Sequence, residues 1–424
     1  MNVRITTPKS AAEATLIEQF AALRVVDPDR TAAFQAFVAT GLPTRRNEAW
    51  HYTDLRAAMG EAAPLATAPD AARLEAARAI LAAHSRLGDL RLVLVDGRFA
   101  PQLSDAAPNG VHTAVLAKSP PSGEQDAVIA LNDAFAVNGV SLLFDAGVKR
   151  TGRIEIAHIA SAGAPRAIYS RVSITLPPGA EARIVEIFSG ANAACQRNAL
   201  TRLSLGEGAR CAHVTVLDDD IGLHLESQVA QLGADARFDA FALVAGGAFV
   251  RRQLFIGHEA NNATISLGGL SLLDGARHAD TTLVVDHGAP HGRSREFYKH
   301  IVADEATGVF QGKVIVRPGA QKTDGAMKSQ AILLSPRAAM NNKPELEIFA
   351  DDVICGHGAT VGALDPEQMF YLQARGLPRV EAEAMLLEAF GADAIARVED
   401  EDLAELLRAR MRAWLAARTR GARP

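Results

Sequence analysis

The 424-residue chain has little of several things, and each shortage excludes a class of function. It has three cysteines, Cys195, Cys211 and Cys355, with no Cys-x-x-Cys pair. A disulfide framework is thereby excluded, and a reducing compartment fits. Aromatic residues make up 5%, too few for an aromatic-lined polysaccharide groove. The net charge of −5 offers no basic face for nucleic acid. No apolar run approaches the roughly 20 residues of a membrane helix, and Met1–Ser10 carries no apolar stretch of the export type. The chain is expected in the cytoplasm, with neither membrane nor nucleic acid as a partner.

Familiar catalytic signatures are missing as well. Gly308–Lys313 contains a Gly-Lys but lacks the spacing and the following Ser/Thr of a phosphate-binding loop, so no ATP site is expected. GxSxG, HExxH and GxGxxG do not occur. These absences favour a scaffold over a self-contained enzyme. The enzyme-class rival, a β-helix carbohydrate lyase or hydrolase, lacks a paired-carboxylate site on its strands.

What is present divides into three regions, 1–150, 151–362 and 363–424. In the first, Leu16, Phe20 and Leu23, then Phe34, Phe37 and Val38, recur at helical spacing. Gly41 and Pro43 end that pattern. Arg45, Arg46, Glu48, Trp50, His51 and Tyr52 form a polar–aromatic cluster that reads either as a contact surface or as a loop packed by its Trp and Tyr. Glu61–Ala71 and Ser104–Gln125, rich in Ala, Pro, Ser and Gly, read as loops.

The middle region is a series of short β-type runs: Ser173–Leu176, Arg183–Phe188, Arg202–Leu205, His213–Leu217, Phe238–Val244, Thr264–Leu267, Thr281–Asp286 and Lys313–Arg317. Gly-Ala turns at 179–180, 208–209, 233–234 and 319–320 punctuate it, at a loose solenoid-like period. No helix pattern is interleaved. A parallel β-helix and a large sandwich both bury one face of each strand without long open edges.

The last region is helical. Asp365-Pro366-Glu367-Gln368 is an N-terminal cap, with Leu364 and Met369 placed as a hydrophobic staple. Gly376 ends that helix and Pro378 starts the next. Glu399–Asp402 opens a final helix with acids at its positive end. Its stripe of Leu403, Leu407, Met411, Trp414 and Leu415 fits internal packing.

The chemistry concentrates at Cys355 and His357. In an extended chain the two side chains leave the same face. Both residue types bind iron or zinc, yet two ligands make half a tetrahedral site, so any missing ligands are expected from another chain. The bland alternative is a buried thiol beside a hydrogen-bonded imidazole. Asp351 and Asp352 read as orienting groups for the imidazole or as turn residues. Lys299, Arg295 and Lys322 are further candidates for a polar interior or an interface. His287 and His291 form an H-x3-H pair that Pro290 keeps from being helical. His213 and His258 read as structural, and Cys195 and Cys211 as small buried hydrophobes.

Glu345–Gly362 (ELEIFADDVICGHGATVG), with Phe297–Asp304 (FYKHIVAD), Val309–Val316 (VFQGKVIV), Gln321–Gly325 (QKTDG), Asp365–Gly376 (DPEQMFYLQARG) and more loosely Pro43–Leu55 (PTRRNEAWHYTDL), resembles the SufB/SufD family of iron–sulfur cluster assembly proteins. Beside the Lys322–Gly325 KTDG, which also looks like the SufD branch, two features point the same way. Gly358 follows His357 where SufB carries Glu, and Asp324–Leu334 holds no cysteine.

The resemblance implies a mainly β fold, a right-handed parallel β-helix core flanked by N- and C-terminal helical regions. It implies a non-catalytic scaffold that pairs with SufB and docks the ATPase SufC. It places His357, and less directly Cys355, at a transient Fe–S cluster shared with SufB. SufC is then expected against the C-terminal helices around Met369, Phe370, Tyr371, Arg375 and Gly376, and a homodimer is possible in isolation. A third reading keeps the SufB and SufC contacts without any metal role.

Overall fold

The computed structural model describes residues 9–24, 27–117, 126–161, 163–190 and 193–421. The chain opens with helices α1 (Ala11–Ala22), α2 (Pro28–Thr40), α3 (Leu55–Met59) and α4 (Ala71–Ala83). Next come β1 (Leu90–Val95), β2 (Arg98–Phe99), β3 (Val111–Val115), α5 (Ala127–Phe135), β4 (Val140–Phe144), β5 (Lys149–Ile159), β6 (Ala167–Leu176) and β7 (Glu181–Ser189). The strands continue with β8 (Gln196–Leu205), β9 (Arg210–Leu217), β10 (Leu223–Leu232), β11 (Arg237–Val244), β12 (Phe249–His258) and β13 (Thr264–Leu273). The last are β14 (His278–His287), β15 (Arg293–Val302), β16 (Thr307–Val316), β17 (Asp324–Leu333), β18 (Ala339–Ile348) and β19 (Ile354–Gly362). Helices α6 (Pro366–Ala374), α7 (Arg379–Ile395) and α8 (Glu401–Gly421) close the chain.

Odd- and even-numbered strands sort into two sheets, and from β4 and β5 onward each strand pairs in parallel with the next but one. The result is a β-solenoid of about eight turns. Of the two architectures the β-runs allow, the structure takes the solenoid. The expected β-runs all fall inside strands, although most strands extend further and Arg317 lies just past β16. Of the expected loop 104–125, Val111–Val115 is a strand, and 118–125 lie outside the described residues.

The coil corners explain the period. Gly179, Gly208, Asp235, Asn262, His291 and Lys322 stack in one column with φ of 71°, 66°, 55°, 65°, 61° and 65°. Each donates its amide to a carbonyl of the next coil, from Gly179 to Glu207 O (2.8 Å) up to Lys322 to Asp352 O (2.6 Å). The residue after the corner drops inward. Ala180, Ala209, Ala236 and Ala263 are all fully buried in the interior cluster. The third and fourth corners anticipated from Gly-Ala therefore sit elsewhere: Asp235-Ala236 replaces Gly233-Ala234, and Lys322-Thr323 replaces Gly319-Ala320. Asp and Asn tolerate the left-handed region well enough to stand in for Gly.

Helices clothe the outer faces. α1, α2 and α5 build a core of Leu16, Phe20, Phe34, Phe37 and Phe135 that reaches Leu223 and Leu225 on the even sheet. α7 and α8 lay Leu387, Ile395, Leu403, Leu407, Met411 and Leu415 against Val185, Val214, Phe241 and Leu270 of the odd sheet. The stripe of α8 is thus internal packing. Trp50 is buried beneath the Arg251 guanidinium, whose carbon lies 4.1 Å from the ring centroid. The polar–aromatic cluster is a packed loop at Trp50, with Arg45, Arg46, Glu48 and His51 exposed.

The two ends of the solenoid differ. At the N-terminal end, antiparallel β2 and β3 terminate the sheets. At the other end the sheets finish on β18 and β19, with no further strand among the described residues. Among those residues no helix is long and apolar enough to cross a membrane.

Candidate functional site

Cys355 and His357 lie on β19, the last strand of the odd sheet. Cys355 pairs with Gly325 and His357 with Met327. Gly325 and Met327 are buried, and Met327 belongs to the interior cluster. Alternation along the strand therefore turns Cys355 and His357 together toward the solenoid axis, as their spacing predicts. With no coil above, Cys355 is half-buried and His357 exposed. Burial pushes the Cys355 thiol up, and the nearby Asp324 and Glu296 carboxyls add to the shift.

The two end strands are unequal as edges. β18 carries Lys343 and Pro344 at its middle, and a proline removes a donor from the ladder. β19 has neither charge nor proline. Its Ile354 is 77% exposed, and Phe349, Ile348 and Val361 nearby are also exposed. The strand with the candidate ligands is thus an open edge, and its neighbour is blunted.

Beneath this edge lies a row of polar groups that period-2 reading did not single out. Ser294, Glu296, Tyr298 and His300 alternate along β15 and are all buried. Glu296 is in register with Met327, and so with His357 one strand further out; Ser294 lines up likewise with Gly325 and Cys355. The Ser294 hydroxyl, both Glu296 oxygens, the Tyr298 hydroxyl and both His300 nitrogens have no hydrogen-bond partner among the described residues. Burial lifts the Glu296 carboxyl to about 8 and pushes the His300 imidazole down to about 3. Polar residues at every second position resemble a solvent-facing stripe, which is why the sequence hides them. Asn342 on β18 completes the wall, accepting from the Ser329 hydroxyl at 2.6 Å.

The other candidates take structural places. Asp352 is tied into the corner column by Lys322 and by Gln321, whose side-chain oxygen accepts its amide at 3.0 Å. That makes it a turn residue, and Asp351 is exposed beside it. Lys299 points outward, 2.7 Å from Asp393 and over the Phe390 ring at 4.2 Å, so it anchors α7. Arg295 pairs with Asp324 at 2.6 Å. The H-x3-H residues diverge. His287 is buried with Nδ1 2.9 Å from His258 Nε2, whereas His291 is an exposed corner. His213 lies 3.5 Å from Glu186 and 3.1 Å from Gln228. Cys195 and Cys211 are fully buried. No group of three or more metal-ligating side chains converges among the described residues.

On α6, Asp365 caps the helix through the amides of Glu367 and Gln368, with Pro366 next. Met369 is turned inward, whereas Phe370 (73% exposed), Tyr371, Arg375 and Gly376 face out. The Arg375 guanidinium sits 5.0 Å from the Tyr371 ring centroid. Gly376 ends the helix at φ 90°, in the left-handed region that favours glycine.

Comparisons with known proteins identify the family. Residues 158–390 match the SufBD core domain of the SUF system for FeS cluster assembly, and residues 11–156 match the SufBD protein N-terminal region. The chain is 30% identical to the iron-sulfur cluster assembly protein SufD of Escherichia coli over 91% of its own length and 92% of that protein. It is 26% identical to a SufBD family iron-sulfur cluster assembly protein of Synechocystis, over 89% and 88% of the two chains. Over a shorter stretch, 30% of this chain, it is 35% identical to SufD of Bacillus subtilis. A solenoid ending in an open Cys-x-His edge strand, matched along nearly its whole length to these relatives, belongs to the SufBD family of iron–sulfur cluster assembly proteins.

Proposed function

We propose that this chain is the non-catalytic SufD-type scaffold of a SufB–SufC–SufD complex, contributing half of a site at which a nascent Fe–S cluster is held. One observation carries the reading. The only half-buried cysteine and its neighbouring histidine face the axis from an unprotected edge strand, while the adjacent end strand is blunted by Lys343 and Pro344. A partner solenoid meeting this end would bring the remaining ligands. SufB, the family's paralogue, is the fitting partner, and a second copy of this chain is the one available in isolation.

The cluster is cargo. Imidazole from His357 with thiolate from the partner gives mixed ligation, and weaker imidazole binding favours handover. Cys355 adds a second sulfur at a half-buried position. SufC docks on α6, where Phe370, Tyr371, Arg375 and Gly376 are exposed, three residues after the site strand. The chain hydrolyses no ATP itself and works in the cytoplasm, where free cysteines remain reduced.

Anaerobic cluster reconstitution on the co-expressed complex, wild type against His357→Ala, tests this, with iron counting, visible absorption and size-exclusion chromatography. An intact complex that loses cluster formation supports the site. An intact complex with unchanged yield reduces the chain to a structural arm for SufC.

A further inference from the structure

A separate cleft opens on the outer face of the odd sheet, under the α7–α8 connection. With its open mouth included, the cleft encloses about 750 Å³. The floor is apolar. Val214 on β9 and Phe241 on β11 form it, and Gly268 on β13 contributes no side chain. A Cβ at Gly268 would come 3.1 Å from Phe241 Cδ2, so the glycine leaves room beside the edge of that largely buried ring. Phe297 on β15 makes the wall, and the Arg397 guanidinium lies 4.6 Å from its ring centroid.

The charges around the rim are unevenly matched. Asp400 is taken by Arg153 at 2.7 Å, Glu399 and Asp239 by Arg237 at 2.5 and 2.7 Å. Arg295 on the rim is occupied by Asp324. Arg397 has no carboxylate partner among the described residues. A guanidinium stacked on an aromatic face keeps its N–H edge free for a planar anion.

We infer that this cleft is a binding site for a small planar aromatic molecule carrying one anionic group, whose rings lie on the Phe241–Gly268 floor and whose anion is met by Arg397. The site is independent of the Cys355–His357 edge. The full-length protein is titrated with 8-anilinonaphthalene-1-sulfonate, followed by fluorescence, and with uncharged N-phenyl-1-naphthylamine as its anion-free counterpart. Saturable sulfonate binding is expected, at least tenfold weaker in Arg397→Glu, with the uncharged probe unchanged by that substitution. Arg397 is exposed, so the variant should fold as the parent does. Ile354→Asp, on the exposed terminal edge, should leave the sulfonate affinity as it is. The assignment is overturned if the wild type binds no sulfonate probe, if Arg397→Glu binds it as tightly as wild type, if that variant weakens both probes alike, or if Ile354→Asp abolishes the signal.

Discussion

Ser294 Oγ and Cys355 Sγ face each other across Gly325. Each lies about one van der Waals contact, 3.4 and 3.5 Å, from the point that a side chain at Gly325 would occupy. The candidate thiol thus looks down on a buried hydroxyl and, one position along, on the Glu296 carboxyl. The thiol is partly removed from water and has the Asp324 and Glu296 carboxyls nearby, and both features disfavour a thiolate in the free protein.

The first prediction concerns that thiol. Cys195 and Cys211 are fully buried and Cys355 is half-buried, so Ellman's reagent should modify one thiol in the native protein and three after denaturation. Because the Cys355 pKa is raised, its reaction rate should keep climbing with pH beyond the range of an ordinary thiol, which titrates near ~8.5. A rate that levels off below that value would show that the thiolate is instead stabilised.

Glu296 makes a second, thermodynamic prediction. Its folded pKa of about 8 lies above its unfolded value, so the native state holds a proton that the unfolded chain releases. Stability attached to this group is present at low pH and declines as pH rises from the unfolded pKa toward 8, by at most about 1.4 kcal/mol per pH unit. Glu296→Gln keeps the shape and removes the titration. Its thermal midpoint should exceed that of wild type by a margin that widens between pH 5 and pH 8. A constant margin would mean that Glu296 ionises in the native protein as it does in the unfolded one.

How much of this was readable beforehand depended on where polar residues point. The helices announced themselves: Asp365-Pro366 caps α6, and Leu403, Leu407, Met411 and Leu415 repeat at helical spacing and are buried. The strands were recognised where apolar residues alternate, as in β11. They were missed where the interior itself is polar. In β12, Arg252 faces inward and makes a two-pronged bond to Glu226 at 2.8 and 2.9 Å, so an apolar pattern fails there. The corner column was half legible, because Gly179 and Gly208 are glycines whereas Asp235, Asn262, His291 and Lys322 hold the same backbone conformation without being glycine. The Cys355–His357 edge was found by residue type and resemblance. The blunting of β18 and the polar row beneath β19 needed the register.

The corner column supplies a third prediction. His291 adopts φ 61°, a left-handed conformation that costs a non-glycine residue roughly 1 kcal/mol. Its ring is exposed and makes no hydrogen bond or ion pair among the described residues. His291→Gly should therefore leave the fold intact and stabilise it by up to ~1 kcal/mol in chemical denaturation, whereas His291→Val should destabilise it. Loss of stability with glycine would indicate that the imidazole has a role beyond the turn.

A fourth concerns the clasp between the N-terminal region and the solenoid. Asp280 on β14 accepts from the Thr53 hydroxyl and from the Arg251 guanidinium that stacks on Trp50, and all four residues are buried. Arg251 also donates to the Ala49 carbonyl at 2.8 Å. Asp280→Ala strands a buried guanidinium, which typically costs about 3–5 kcal/mol. Urea unfolding should register a loss of that order, and limited proteolysis should cut sooner near residues 44–54. Replacing the exposed Arg45 or Arg46 should change neither measurement.

The last prediction separates the terminal edge from the fold beneath it. Ile354 opens β19 and is 77% exposed, so its side chain contributes little to the folded monomer, and Ile354→Asp should shift monomer stability by no more than about 0.5 kcal/mol. If another solenoid adds to this edge, the same carboxylate would be buried there without a partner, costing several kcal/mol of association. Co-purification with SufB, or self-association of the isolated chain measured by sedimentation, should then weaken by two orders of magnitude or more. The exposed face of α6, carried on a different surface, should retain SufC. Equal loss of both partners would point to a damaged chain, and equal retention would show that the open edge of β19 is not where the partner solenoid binds.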